Sequence, residues 1–150
     1  MEIIGITGDD GAVIAPEWFQ RAEAVHRQLR DKLPADYAGK MRRVFGQGAR
    51  MCVAAQEERV LGVAIYRIYE NTFDGVKLYV DDLVTDAASR SAGVGHALMA
   101  HLEGLARERG CDSLTLDSGT QRHRAHAFYF REGMVITSYS FKKPLARVAA

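Results

Sequence analysis

Leu83-Val84-Thr85, followed after a short connection by Arg90-Ser91-Ala92-Gly93-Val94-Gly95, is the stretch that decides the fold. The first part closes a β-forming run, and the second opens a helical one, in which Val94, Ala97, Leu98, Leu102 and Leu105 form a single apolar stripe. Gly93 and Gly95 let backbone approach a ligand closely, the helix start offers unpaired N–H groups at a positive dipole end, and Arg90 adds a cation. Such a loop suits an anion. A dinucleotide fingerprint needs Gly or Ala where Leu98 stands, and the Gly-Lys-Ser/Thr of a P-loop is absent.

Working back from the loop, residues 76–85 read as a strand with a fault in it. Val76, Leu78 and Val80 alternate, Asp81-Asp82 interrupt, and Leu83-Val84 resume out of phase, so a β-bulge is expected near the aspartates. Residues 50–56 and 60–70 read as a hairpin around the turn Glu57-Glu58-Arg59, the second strand apolar on both parities and so covered on both faces. Nearer the N-terminus come a short strand over 2–7, a helix from Pro16 to about Leu33-Pro34, and a second helix over 36–45.

Forward of the loop, the helix runs to Arg109 and Gly110 ends it. A strand over 113–117, a helix over 122–131 and a final strand over 135–142 follow, with residues 147–150 expected to fray. Hairpin first and alternating elements afterwards imply an α/β fold with a mixed sheet covered by helices on both faces.

The chain has 150 residues, of which 47% are hydrophobic and 26% charged, which fits one globular domain spanning 1–150. A net charge of +1 gives no field for a polyphosphate backbone, so nucleic acid is not an expected partner. No apolar run approaches the roughly 20 residues of a membrane span, and Met1-Glu2-Ile3-Ile4-Gly5 carries no export signal, so a cytoplasmic protein without a membrane partner is expected. Cys52 and Cys111 are the only cysteines; no disulfide framework or metal site is expected, and both read as small buried hydrophobes.

The strand, the loop from Arg90 to Gly95, the helix and the segment Ala125-His126-Ala127-Phe128-Tyr129 with Gly133-Met134 after it resemble the GNAT superfamily of acyl-CoA N-acetyltransferases. The signature there is Arg or Gln, two residues, Gly, one residue, then Gly or Ala, between a bulged strand and a helix. Met134 departs from the family's usual Phe, and Arg122 stands where Asn is common. The resemblance implies a mostly antiparallel central sheet with a splayed strand, and a division into a variable acceptor-side half, 1–75, and an acetyl-CoA-binding half, 76–142. It further implies a pyrophosphate site on Arg90, Ser91, Ala92, Gly93, Val94, Gly95 and His96, with Phe128 also on the cofactor side. Pantetheine would lie along the open edge of Leu83, Val84 and Thr85, paired by β-augmentation. The Val84 N–H or a neighbour would face the oxyanion.

Acyl transfer from a thioester requires a neutral amine. An amine of pKa about 10.4 is neutral in roughly one molecule in 2,500 at pH 7, a cost of about 4.6 kcal/mol, so a base or a desolvating pocket is needed. Asp82 is the leading carboxylate, with Asp81, Glu70 and Asp117 as alternatives. Tyr129 matches the family position that protonates the departing thiolate, and because Phe128, Tyr129 and Phe130 are consecutive on a helix they cannot all face a core. His123 and His126 are further proton carriers to consider. The expected activity is acetyl transfer from acetyl-CoA to a small-molecule or peptide primary amine by direct attack in a ternary complex. A non-catalytic acyl-CoA-binding regulatory module is the alternative, against which Tyr129 speaks. With only one strand after the tyrosine helix, a sheet edge is left for a homodimer.

Overall fold

A computed structural model describes residues 1–147. It divides into two compact units, Met1–Leu116 and Asp117 onward. The first holds five strands, β1 (Glu2–Gly5), β2 (Arg50–Gln56), β3 (Arg59–Asn71), β4 (Gly75–Thr85) and β5 (Ser113–Leu116), with three helices, α1 (Pro16–Leu29), α2 (Tyr37–Gly46) and α3 (Val94–Glu108). The strands form one sheet in the order β1-β2-β3-β4-β5. Every neighbouring pair is antiparallel except β4 and β5, which run parallel. The mixed sheet with helices is thus as the sequence implied.

Strand periodicity divides the core. Met51, Val53, Val63 and Ile65 face one side, where Phe19, Ala22 and Val25 of α1 and Tyr37, Met41 and Phe45 of α2 cover them. Cys52, Ala54, Ala64, Leu78 and Val80 face the other, under Val94, Leu98 and Leu102 of α3. The two-parity apolar pattern of β3 has a second cause besides cover on both faces. Ala54 pairs with Gly62 and Ala55 with Val60, so Leu61 is an extra residue that shifts the phase.

The fault in β4 is the bulge expected from its sequence: Ile65 pairs with Asp82 and Tyr66 with Val80, leaving Asp81 unpaired. Leu78 and Val80 before it pack on the α3 side, whereas after it Leu83 takes that side and Val84 turns to α1.

α1 stops at Leu29, short of the expected Leu33-Pro34. The Arg27 guanidinium explains the early end: it donates to the carbonyls of Leu33 (2.6 Å) and Pro34 (2.7 Å), folding the following loop back on the helix. α2 starts where Asp36 caps it by accepting from the Gly39 N–H at 2.9 Å.

The second unit carries α4 (His123–Arg131). The strand expected over 135–142 does not form; among the described residues this stretch has no strand partner. Alternation prepares a segment for a sheet, but a strand exists only where a neighbour takes its N–H and C=O groups. Of the stretch expected to fray, residues 148–150 lie outside the described residues.

Candidate active site

The parallel ladder between β4 and β5 ends with the pair Val80 and Leu116. Beyond the bulge, β4 remains paired to β3 through Asp82, Leu83, Val84 and Thr85, but among the described residues no strand pairs with its other side there. An extended backbone edge with N–H and C=O groups therefore begins directly after the bulge.

The chain leaves β4 through a 3-10 turn, Ala87–Ser89, and then enters the glycine loop. Ser91 (φ +68°) and Gly93 (φ +80°) both adopt left-handed backbone conformations. At Gly93 a Cβ would meet no atom within 4 Å, so the glycine serves the loop's conformation and its open side, not internal packing. Gly93 is the N-cap of α3 without a side-chain cap, and the first helical acceptor bond runs from the Ala97 N–H to the Gly93 carbonyl. The N–H groups of Val94 and Gly95 thus precede the helical ladder at its positive end. Arg90, Ser91, Ala92 and His96 are exposed around them. Close approach of α3 to the sheet depends on Gly62, where a Cβ would stand 2.6 Å from Val94 Cγ1 and 2.9 Å from Leu98 Cδ1.

On the α1 side, Asp82 is held by residues the sequence reading did not single out. His26 Nε2 lies 2.7 Å from Asp82 Oδ2, and Arg30 Nε donates to Asp82 Oδ1 at 2.7 Å. Against a carboxylate the Nε2–H donates, and Nδ1 on the other side of the ring lies 2.8 Å from the Tyr37 hydroxyl. His26 is only 1% exposed. Burial alone would raise the Asp82 pKa, but the hydrogen bonds from His26 and Arg30, with the Arg30 charge, hold it below the usual carboxylate range. At the far end of the open edge, Gln28 donates to Asp86 at 2.9 Å and accepts the Ala87 N–H at 2.9 Å. α1 therefore pins the chain on both sides of Leu83, Val84 and Thr85. The signal was present: Phe19, Ala22 and His26 share one helical face, which marks the histidine as a core position.

Of the other carboxylates, Asp81 accepts two N–H groups of Arg67 at 3.0 and 2.7 Å on Oδ2 alone. It lines an open pocket of about 400 Å³ with Gln47, Tyr69 and Tyr79. Glu70 pairs with Val76, five residues along β3 from the bulge partner Ile65, or about 17 Å at strand rise. Asp117 belongs to the second unit.

Phe128 and Tyr129 stand on α4, their rings in an edge contact with centroids 5.4 Å apart. Burial raises the Tyr129 pKa, and the Arg122 charge only partly offsets it, so the phenol keeps its proton. His126 Nε2 donates to the Gly119 carbonyl at 2.7 Å, which engages that nitrogen within α4's own unit. Among the described residues no group of three His, Cys, Asp or Glu is placed to hold a metal ion, and no helix is long and apolar enough to cross a membrane.

Comparison with known proteins agrees with this geometry. The model of the acetyltransferase (GNAT) family matches residues 15–134. An uncharacterized N-acetyltransferase, YhdJ, of Bacillus subtilis (strain 168) is 36% identical, the match covering 54% of this chain and 68% of that protein. N-acetyltransferase 8 of Homo sapiens is 31% identical over 69% of this chain, which spans only 46% of the human protein. Among solved structures, an aminoglycoside acetyltransferase from an uncultured soil metagenomic sample, in complex with sisomicin, superposes with a TM-score of 0.78 at 15% identity, covering 97% of this chain and 96% of that one. A transcriptional regulator from Bacillus halodurans C-125 gives a TM-score of 0.73 at 23% identity, covering 96% and 99%. At those identities the likeness is one of fold, while the family match covers most of the sequence through both the glycine loop and the tyrosine helix. This chain belongs to the GNAT family of acetyltransferases and is an acyltransferase enzyme.

Proposed function

We propose that the enzyme transfers an acetyl group from acetyl-CoA to a primary amine, small-molecule or peptide, by direct attack in a ternary complex. The observation that carries this reading is the end of the β4–β5 ladder at Val80, immediately before an open edge that leads into the glycine loop. A pantetheine arm has amides that can pair with Leu83, Val84 and Thr85, and an N–H on that edge faces the thioester oxygen as charge develops. Phosphate oxygens of CoA find the N–H groups of Val94 and Gly95, the Arg90 cation and the open backbone of Ser91, Ala92 and Gly93, with His96 completing the donor side.

The amine nitrogen attacks the acetyl carbon, the C–S bond breaks, and the thiolate takes the Tyr129 phenol proton. Asp82 has donors on both oxygens and a lowered pKa, which suits an anchor of the strand edge better than a base. Asp81, beside the bulge and on an open pocket, is the carboxylate that this reading assigns to removing the amine proton through water. Release of free thiol from acetyl-CoA across a panel of polyamines, aminoglycosides, amino acids and peptides tests the reading. Amine-dependent release is expected, falling at least tenfold in Asp81→Asn. Tight acetyl-CoA binding with no release for any amine would leave a binding module in its place.

A further inference from the structure

Residues 86–89 separate Thr85 at the end of β4 from Arg90 at the start of the glycine loop. Their own fold is slight: one 3-10 turn, in which the Ser89 N–H donates to the Asp86 carbonyl at 2.8 Å. What fixes this joint comes from outside it and converges on Asp86. The Asp86 N–H donates to the Leu61 carbonyl of β3 at 2.8 Å, one residue beyond the last ladder pair, Gly62 and Thr85. Its carboxylate caps the turn by accepting from the Ala88 N–H and lies 3.5 Å from the Arg59 guanidinium. From α1 a single amide closes the arrangement: Gln28 Nε2 donates to Asp86 Oδ1 and Gln28 Oε1 accepts the Ala87 N–H, both at 2.9 Å. The helix that carries Gln28 is itself held to β4 by His26 and Arg30 on Asp82.

Glutamine suits this place because its amide presents a donor and an acceptor side by side. A glutamate would keep the bond from Ala87 but set a second negative charge against Asp86. Gln28 is exposed, and hydrogen bonds that compete with water add little to global stability, so their effect falls on the joint. Given the acetyl-CoA site proposed above, on which this step rests, we propose that Gln28 and Asp86 are positioning residues for the donor. They preset the spacing between the β4 edge at Leu83, Val84 and Thr85 and the phosphate-binding loop from Arg90 to Gly95. A flexible ligand that must engage two segments at once binds more tightly when their separation is already set, because less ordering is left to the binding step. A ligand that engages one segment alone gains nothing from that spacing.

Calorimetric titration of acetyl-CoA into the parent, Gln28→Ala, Gln28→Glu and the double variant Gln28→Glu/Asp86→Asn tests the proposal. Both single variants are expected to melt within a few degrees of the parent and to bind acetyl-CoA about three- to tenfold more weakly. The double variant exchanges amide and carboxylate and rebuilds the hydrogen bond, so its affinity should return to within about twofold of the parent. S-acetylpantetheine carries the amides without the pyrophosphate, and adenosine diphosphate the pyrophosphate without the amides. Displacement of acetyl-CoA by either fragment should give affinities within about twofold of one another across the set, because each engages one segment only. If a fragment fails to displace acetyl-CoA, the double variant decides. Unchanged acetyl-CoA affinity in the folded single variants, a double variant as weak as Gln28→Glu, or fragments weakened as much as acetyl-CoA would overturn the proposal. A parent that binds no acetyl-CoA would overturn the acetyl-CoA site itself and, with it, the role of Gln28 and Asp86.

Discussion

His26 Nε2 and Asp82 Oδ2, contributed by α1 and by the bulged strand β4, lie 2.7 Å apart in a largely buried contact. The pair converts a helix position into a strand restraint. The Asp82 pKa is lowered in the folded state, so its contribution to stability is complete above the unfolded value, about 3.9, and is lost as pH falls through the lower folded value. Asp82→Asn is expected to cost about 1.5–3 kcal/mol at pH 7, as for hydrogen bonds to a charged group. Thermal melts of parent and variant between pH 7 and pH 3 check this: the gap in Tm should be constant down to about pH 5 and narrow below pH 4.

Gly62 sets the distance between α3 and the sheet. A methyl group there would meet Val94 Cγ1 at 2.6 Å and the Val84 carbonyl oxygen at 3.1 Å. Gly62→Ala should destabilise by about 1–3 kcal/mol, the usual cost of overpacking, and should weaken acetyl-CoA binding, because Val94 opens the helix that the loop feeds. Calorimetric melting and titration of one sample measure both.

Tyr129→Phe keeps the ring and removes the hydroxyl. As general acid, Tyr129 predicts a fall in kcat of about 10²- to 10⁴-fold with acetyl-CoA affinity nearly unchanged. A loss under threefold, with chemistry rate-limiting, would return Tyr129 to a packing role and shift attention to His126.

Burial pushes the Cys52 thiol up to about 12. At pH 8 roughly one thiol in ten thousand is then ionised, which makes Cys52 a poor nucleophile for a covalent route. Cys52 should resist iodoacetamide in the folded protein and react after denaturation, with turnover retained in Cys52→Ala.

Much of the site could be read from local sequence, since phase and loop chemistry are local properties. The break at Asp81-Asp82 announced the β4 bulge, and two glycines before an apolar stripe announced the α3 entrance. The Leu61 shift in β3 stayed hidden because a strand apolar on both faces shows no change of phase. His26 was invisible as a partner of Asp82: its buried face can be inferred from helical spacing, but which strand residue meets it depends on how α1 crosses the sheet. The expected strand at 135–142 failed for the converse reason, since its alternation is local and its pairing is not.

Calorimetric titration of acetyl-CoA into the parent and into Gly93→Val tests the central claim most directly. The φ of +80° at Gly93 excludes a β-branched residue without moving the loop, and no neighbouring atom within 4 Å makes the change a core defect. One acetyl-CoA per chain is predicted for the parent, and a loss of at least tenfold in affinity for a variant that melts within a few degrees of it. Equal affinity in a folded Gly93→Val, or no binding to the parent, would contradict the account.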